Sequence, residues 1–545
     1  MPVLTKREIA QVIGIALVVL AISSIPYLLG YHFAPAGMEF GGFFVDLDDS
    51  YSYLAKMQQG VWGGWRYRIP FTPEDHPGAC LYTFYLGLGK LSSLLGLSLM
   101  QAYQVARLAC GLSLLVMSYI FLSMFLERRD ARLVAYLFIC VSSGLGWLVL
   151  LVGGPSTLRG IAPIDFWWIE AYTFLTIFTF PHFAAAVTLL VLFFMLALRH
   201  LETFRMPALL LGILTFVALC VIHPYNAFLV DGVLTAYWLL LFVKRKAIPR
   251  REALPIMIWA ATPIPLLAYY YRALASDPVF RGWSAQTFLP SPPLPYLLLG
   301  YGIVSLLAIG GVVHAIRKRD ERITLLVAWV TGTMVLTYLP FSFQRKMVEG
   351  LHVPLCILAT FGLFEYLLPI ALNSSWLNRF AHWRGYKRPG LRRLLLFSVI
   401  MATFPSNLYL LAEASAAALL GNPILFYRSE EVEAVDWLKD NTERTDTVLA
   451  SYKIGRYIPA RAGNRVFMGH IIETVEVEYK KQLAEVFFQD STTDDFRRDL
   501  LTEYGIDYIF HGPAERQVGQ FDPSTAPYLT SVYDEPSVAI YRVNP

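Results

Sequence analysis

The sequence predicts a polytopic α-helical membrane protein with about eleven transmembrane helices and a small C-terminal extracytoplasmic α/β domain. Three observations carry this: the composition, the spacing of the charges, and a change of character near residue 425. Of the 545 residues, 56% are hydrophobic and 16% charged, whereas soluble globular chains average about 45–50% apolar and about 25% charged. The same figures exclude disordered, collagen-like and disulfide-scaffold proteins, and no sequence feature points to nucleic acid.

A helix needs about 20 predominantly apolar residues to cross a bilayer. Such runs lie near 9–30, 103–126, 132–153, 179–199, 206–223, 225–243, 253–273, 294–316, 323–341, 350–371 and 392–413. The first is too long for the apolar core of a cleavable signal peptide, and no small-residue cleavage site follows it. Basic residues of short loops mark the cytoplasmic side. With Lys6 and Arg7 inside, alternate loops carry Arg128, Arg129 and Arg132, then Arg199 and Arg205, Lys244 to Arg251, Arg317 to Arg322, and Arg379 to Arg393. The N-terminus is therefore expected in the cytoplasm and the C-terminal domain outside. The stretch 79–100, interrupted by Gly87, Gly89, Lys90 and Gly96, is read as lying in the interface, which keeps that parity.

Two domains follow: residues 1–424, a transmembrane domain with a long first outer loop (about 31–102), and residues 425–545, a soluble domain. The tail carries 21 acidic and 13 basic residues. A helix over 430–439, with Ser429 as N-cap, opens it. "TVLAS", "DYIF" and "VAIYRV" read as strands, and "VEYKKQLAEVFF" and "DDFRRDLL" as helices. The five cysteines are scattered, without CxxC or a Cys/His cluster, so neither zinc nor redox chemistry is expected.

The unusual polar residues fall on the outer side of this topology. The first outer loop holds Asp46, Asp48 and Asp49, then Glu74, Asp75 and His76. The second holds Asp165 and Glu170 and leads to Pro181-His182. His223-Pro224-Tyr225-Asn226 forms the hinge between two spans, and Gln344, Arg345 and Lys346 end another where basic residues are otherwise sparse. Asp231 and Glu365 are expected to face the bundle interior, since a charge in lipid is costly. A carboxylate can take the proton of an attacking hydroxyl, and cationic donors can hold a phosphate leaving group. Asp46-x-Asp48 has the spacing to share a divalent cation, Mg or Mn. His470 and Glu473, three apart, would share a helix face; they read first as ordinary surface residues of the tail domain, with acceptor binding over the membrane cavity as the alternative.

The order of these features resembles the GT-C superfamily of membrane glycosyltransferases, which includes protein O-mannosyltransferases and the aminoarabinose transferases of lipid A. The likeness rests on "DDSYSYLAKMQQG" after the first span, an acidic Pro-containing stretch, the interfacial "LYTFYLGLGKLSSLLGLS", and a span opening "AYQVARLACGLSLL". It covers roughly residues 1–245 and again the soluble tail. The resemblance implies inverting transfer of a sugar from a polyprenyl-phosphate-linked donor to an acceptor hydroxyl on the extracytoplasmic face, the acceptor being a lipid, glycan or protein. It implies Asp49 as the acidic residue that acts as base or orients the acceptor, with Asp48 as rival. Glu74, Asp75 and Glu170 compete for the second acidic position. Arg345 and Lys346 fall where relatives place cations for the donor phosphate, and Gln344, His182, His223, Tyr225 and His470 complete the candidate binding residues. Many relatives have Asp-Glu where this chain has Asp48-Asp49, and the WWDYG-type motif of oligosaccharyltransferases is absent. The active site is expected between the two outer loops and the tail of a monomer in a cell membrane.

Other classes compete. A secondary transporter would show repeated halves and midplane binding groups, for which only His223-Pro224 and Asp231 speak. A lipid-linked glycan ligase or polymerase would share the chemistry, and a non-catalytic sensor would use the tail as its binding module.

Overall fold

The computed structural model describes residues 4–154 and 163–544. Every predicted span is helical. Seven helices are long and apolar enough to cross a membrane: Lys6–His32, Leu99–Leu122, Pro181–Thr203, Asn226–Arg245, Arg250–Ser276, Leu294–Lys318 and His352–Asn373. Two further pairs, Arg129–Val141 with Gly146–Gly153 and Arg388–Ala402 with Pro405–Leu419, are each bent by 48°. That gives seven to nine candidate spans among the described residues. The remaining two predicted spans, Met206–Ile222 and Glu321–Thr337, are 17-residue helices, at the short end of what a bilayer needs.

The chain forms two compact units. The first comprises residues 1–25, 107–267 and 289–414; the second comprises 26–106, 268–288 and 415–545. The tail thus shares its unit with the first long loop and a segment from the middle of the chain.

Small residues let backbones approach in the first unit, as is common between membrane helices. A Cβ on Gly311 would stand 2.2 Å from the Leu358 carbonyl oxygen, and one on Gly362 1.8 Å from that of Leu307. A buried ion pair, Arg132 to Glu8 at 2.8 Å, joins the first helix to Arg129–Val141, with the Tyr119 hydroxyl also donating to Glu8. Asp231 is half-buried, as expected, but Glu365 is exposed. It lies in a π-helical turn, Leu363–Leu367, whose wider loop of backbone shifts the register of the side chains.

The second unit is built around a five-stranded mixed sheet. β1 (Met38–Phe40) pairs antiparallel with β2 (Phe426–Arg428) in a separate ribbon. The main sheet has the order β4-β3-β5-β7-β6, with β3 (Thr447–Leu449), β4 (Arg465–Val466), β5 (Tyr508–His511), β6 (Leu529–Glu535) and β7 (Val538–Val543). β3 runs parallel to β4 and β5; β7 runs antiparallel to β5 and β6. The three predicted strands are β3, β5 and β7, and the predicted helices appear as Ser429–Asn441, Val477–Phe487 and Asp494–Glu503. The N-cap of the first is Arg428, not Ser429: Glu431 reaches back to accept from the Arg428 amide at 2.9 Å.

Helices Leu47–Val61 and Thr83–Leu95 touch backbone to backbone in this unit. A Cβ on Gly89 would lie 1.9 Å from the Met57 carbonyl oxygen, and one on Gly60 2.1 Å from that of Leu86. Of the glycines that interrupt 79–100, Gly89 therefore serves close packing, while Gly96, φ +66°, ends Thr83–Leu95 in a left-handed cap. Gly89→Val is expected to push these helices apart and lower the unfolding temperature in detergent by several degrees, roughly a 1–3 kcal/mol overpacking cost. An unchanged transition would mean the contact is soft.

Candidate functional site

In the second unit, Asp48 and Asp49 sit in the first turn of Leu47–Val61, where the helix dipole favours negative charge. Asp46 precedes them in a left-handed conformation, φ 47°. The two neighbouring carboxylates have different fates. Asp48 accepts from the Tyr452 hydroxyl, from Arg456 Nη1 at 3.3 Å and from the Ile471 amide at 3.4 Å. It ties the helix to Tyr452–Arg461 and to the turn at 471. Asp49 keeps 36% of its side chain exposed and receives His470 Nε2 at 3.2 Å on Oδ1.

The geometry fixes the tautomer of His470. Its Nδ1 accepts from the amides of Ile472 and Glu473, each at 3.0 Å, so the ring proton resides on Nε2 and points to Asp49. His470 and Glu473 lie in a turn, not on a helix, and both are buried; the surface-residue reading is corrected.

Glu473 anchors that turn. Its carboxylate accepts from Lys56 Nζ at 2.7 Å, the Ser52 hydroxyl at 2.8 Å and the Tyr67 hydroxyl at 2.5 Å. Lys56 also donates to Ser52 and lies 4.1 Å from the Tyr82 ring centroid and 4.7 Å from that of Tyr67, a cation–π setting. Burial raises the carboxyl of Glu473, but the Lys56 charge and these hydrogen bonds overcome it and hold the group below its ordinary range. The sequence marks Lys56 only by its i,i+4 spacing from Ser52, and gives no sign of its pairing with a residue 417 positions away.

The remaining acidic candidates of the first loop are engaged elsewhere in this unit. Glu74 accepts from Thr72 and from Lys480 at 2.6 Å. Asp75 is 90% exposed, with Arg465 at 3.5 Å. His76 donates from Nδ1 to Asp277 at 3.0 Å and accepts the Ile69 amide on Nε2 at 2.8 Å. Asp277 in turn caps helix Pro278–Gln286. No group of three or more His, Cys, Asp or Glu side chains comes together at metal-holding distance among the described residues. Asp48, already bound by a guanidinium, does not fit a cation shared with Asp46.

The first unit gathers the other candidates. Glu170, in the short 3₁₀ turn Ile169–Ala171, is buried and accepts from Lys346. Burial pushes its carboxyl up, but Lys346 and Arg345 hold it below its ordinary value. Lys346 is thus matched by a carboxylate. Arg345 is not: it forms no ion pair among the described residues, its buried Nε has no hydrogen-bond partner, and its guanidinium lies 5.4 Å from the Trp167 ring centroid. Gln344 accepts the Ser291 amide at 3.2 Å. Asp165 is spent on structure, taking the Gly144 and Gly146 amides at 3.0 and 3.1 Å.

His223 ends Met206–Ile222 in an extended conformation, as a residue before proline must. Its Nδ1 meets Glu349 at 2.9 Å, and Asn226 donates to the same carboxylate at 2.7 Å. The rings of Tyr225 and His182 lie against His223, with centroids at 4.9 and 5.0 Å. Glu349 is fully buried. Sequence reasoning passed over it; its one signal is an acid placed just before an apolar span.

No protein-family model matches the chain, nor does any curated protein. Solved structures do. The apo oligosaccharyltransferase of Archaeoglobus fulgidus is 13% identical over 98% of this chain and 74% of its own, with a TM-score of 0.56. ArnT from Cupriavidus metallidurans, bound to undecaprenyl phosphate, is 13% identical over 97% and 98%, with a TM-score of 0.56. The arabinofuranosyltransferase AftD from Mycobacteria is 16% identical, with a TM-score of 0.53; this chain is covered over 99% and AftD over 40%. The chain therefore has a fold shared by membrane glycosyltransferases. Among the described residues, seven to nine helices of this fold are long and apolar enough to cross a membrane.

Proposed function

We propose that this protein is a GT-C glycosyltransferase that moves a sugar from a polyprenyl-phosphate-linked donor to an acceptor hydroxyl on the extracytoplasmic face, with inversion. The observation that carries the reading is the contrast between Asp48, consumed by Tyr452 and Arg456, and Asp49, part-exposed on a buried histidine of fixed tautomer. In this reading Asp49 accepts the hydroxyl proton while the acceptor oxygen attacks the anomeric carbon. The bond from that carbon to the phosphate oxygen breaks, and the lipid phosphate leaves with the electron pair. Lipid donors are supported by the fold shared with ArnT, a protein solved with undecaprenyl phosphate. The testing assay pairs the purified protein and its Asp49→Asn variant with radiolabelled polyprenyl-phosphate sugars and a crude lipid and protein acceptor extract. Asp49-dependent transfer is expected; solute transport by proteoliposomes, with no transfer, would replace the reading with a transporter.

Arg345 is the residue assigned to the donor phosphate, because Lys346 is already paired with Glu170. Arg345→Ala is expected to weaken lipid-phosphate binding roughly 10- to 100-fold, the worth of one charge-assisted contact, with a smaller effect from Lys346→Ala. Unchanged donor affinity in Arg345→Ala would remove it from the site.

A further inference from the structure

The second unit contains a cleft that the proposed chemistry does not use. It has a volume of about 500 Å³ and is lined by Trp62, Trp65, Arg66, Arg68, Arg444 and Arg465, with Glu74 and Asp75 among its other walls. Asp48, Asp49 and His470 are not among its lining residues. Its charge is lopsided. Glu74 is matched by Lys480 and Asp75 by Arg465. Arg66, Arg68 and Arg444 form no ion pair among the described residues, so three guanidinium charges face the cleft without a carboxylate.

The cleft is also built, not merely charged. The Arg444 guanidinium lies 4.1 Å from the Trp62 ring centroid. Behind that indole sits Gly463, φ +92°, where a Cβ would come within 2.2 Å of the ring; only glycine admits both the backbone and the tryptophan. Gln59 clamps the Arg68 backbone from both sides, donating to its carbonyl at 2.7 Å and accepting its amide at 3.0 Å. Arg465 is held by the Thr445 carbonyl at 2.9 and 2.7 Å. Trp65 remains 54% exposed, with Lys90 4.7 Å from its ring centroid.

We infer that this cleft binds an anionic saccharide, a glycan carrying carboxylate groups on its sugar rings. The exposed Trp65 indole offers a flat, electron-rich face to the C–H face of a sugar, Trp62 holds the Arg444 guanidinium in place, and the guanidinium forks match carboxylates in two-point contacts. A neutral glycan would use the Trp65 indole and leave the three exposed guanidiniums to water; an isolated phosphate would use the guanidiniums and leave the indole bare. Binding needs no donor and no transfer, so it stands or falls separately from the proposed reaction.

The test is direct binding to the full chain in nanodiscs without donor lipid, by calorimetry. The probes are trigalacturonate, neutral maltotriose and inorganic phosphate. Trigalacturonate is expected to bind at least about tenfold more tightly than either other probe, and to weaken as salt is raised. Arg68→Gln and Arg444→Gln are each expected to cost roughly 10- to 100-fold for trigalacturonate, and Trp65→Ala, at an exposed position that leaves folding intact, a further loss. Equal affinity of the wild type and the arginine variants overturns the inference. So does phosphate binding as tightly as the uronate, or no uronate binding at all.

Discussion

Asp49→Asn is expected to reduce sugar transfer by about 10²- to 10⁴-fold, the usual contribution of a positioned base, while leaving the unfolding transition in place. The amide oxygen of asparagine can still accept the His470 Nε2–H bond, so the turn at 470–474 keeps its support. What disappears is the ability to take a proton, and the loss should appear in kcat with little change in donor affinity. Asp48→Asn separates chemistry from architecture. That substitution weakens the hold on Arg456, whose side chain is only 10% exposed, so its main signature should be a lower unfolding temperature. If Asp49→Asn transfers at a near wild-type rate, or if Asp48→Asn alone removes activity from a well-folded protein, the assignment is wrong.

Glu473→Gln is expected to be the most damaging single change to the second unit. Lys56 and Glu473 are 1% and 4% exposed, and removing one partner of a buried pair leaves the other charge without compensation, at about 3–5 kcal/mol. Thermal unfolding in detergent should record the loss. Lys56→Met combined with Glu473→Gln should recover part of it, because no isolated charge is left. The pH dependence has a definite sign. Glu473 titrates below its ordinary 4.5 in the folded protein, so its stabilisation is complete above that value and is lost as the pH falls through the lower folded pKa. The wild type should therefore lose stability on acidification through that window, and Glu473→Gln should lack this component. A Glu473→Gln protein as stable as wild type would show that the network is ornamental.

The helices were legible because their cause is local. Long, predominantly apolar runs are helical at all eleven predicted ranges, and "VAIYRV" forms a strand. The short edge strand β4, two residues long, and β6 carry no comparable pattern. The aspartates of the first loop were visible as chemistry, but nothing in the sequence separated Asp48 from Asp49 by environment. That difference is made by Tyr452, Arg456 and His470, more than 400 positions away. For the same reason the sequence gives no sign of what buries Lys56, and its spacing puts Glu473 on a helix face that the turn does not have. Periodicity reports what a residue's own segment does; it is silent on which distant segment arrives to satisfy it. Nor does the Asp46-x-Asp48 spacing reveal that a guanidinium of the same chain lies against Asp48.

The separation of these partners also sets an order of events during synthesis. Asp49 and His470 are 421 residues apart, as are Ser52 and Glu473. At a ribosomal pace of about 5–20 residues per second, the first loop waits roughly 20 to 80 seconds for the turn that completes its environment. Throughout that interval Lys56 has no Glu473, Asp49 has no imidazole, and β1 has no β2. A product truncated before residue 470 would carry the first-loop aspartates and Lys56 without the histidine and glutamate that hold them, and Lys56 would be left as a charge awaiting its partner.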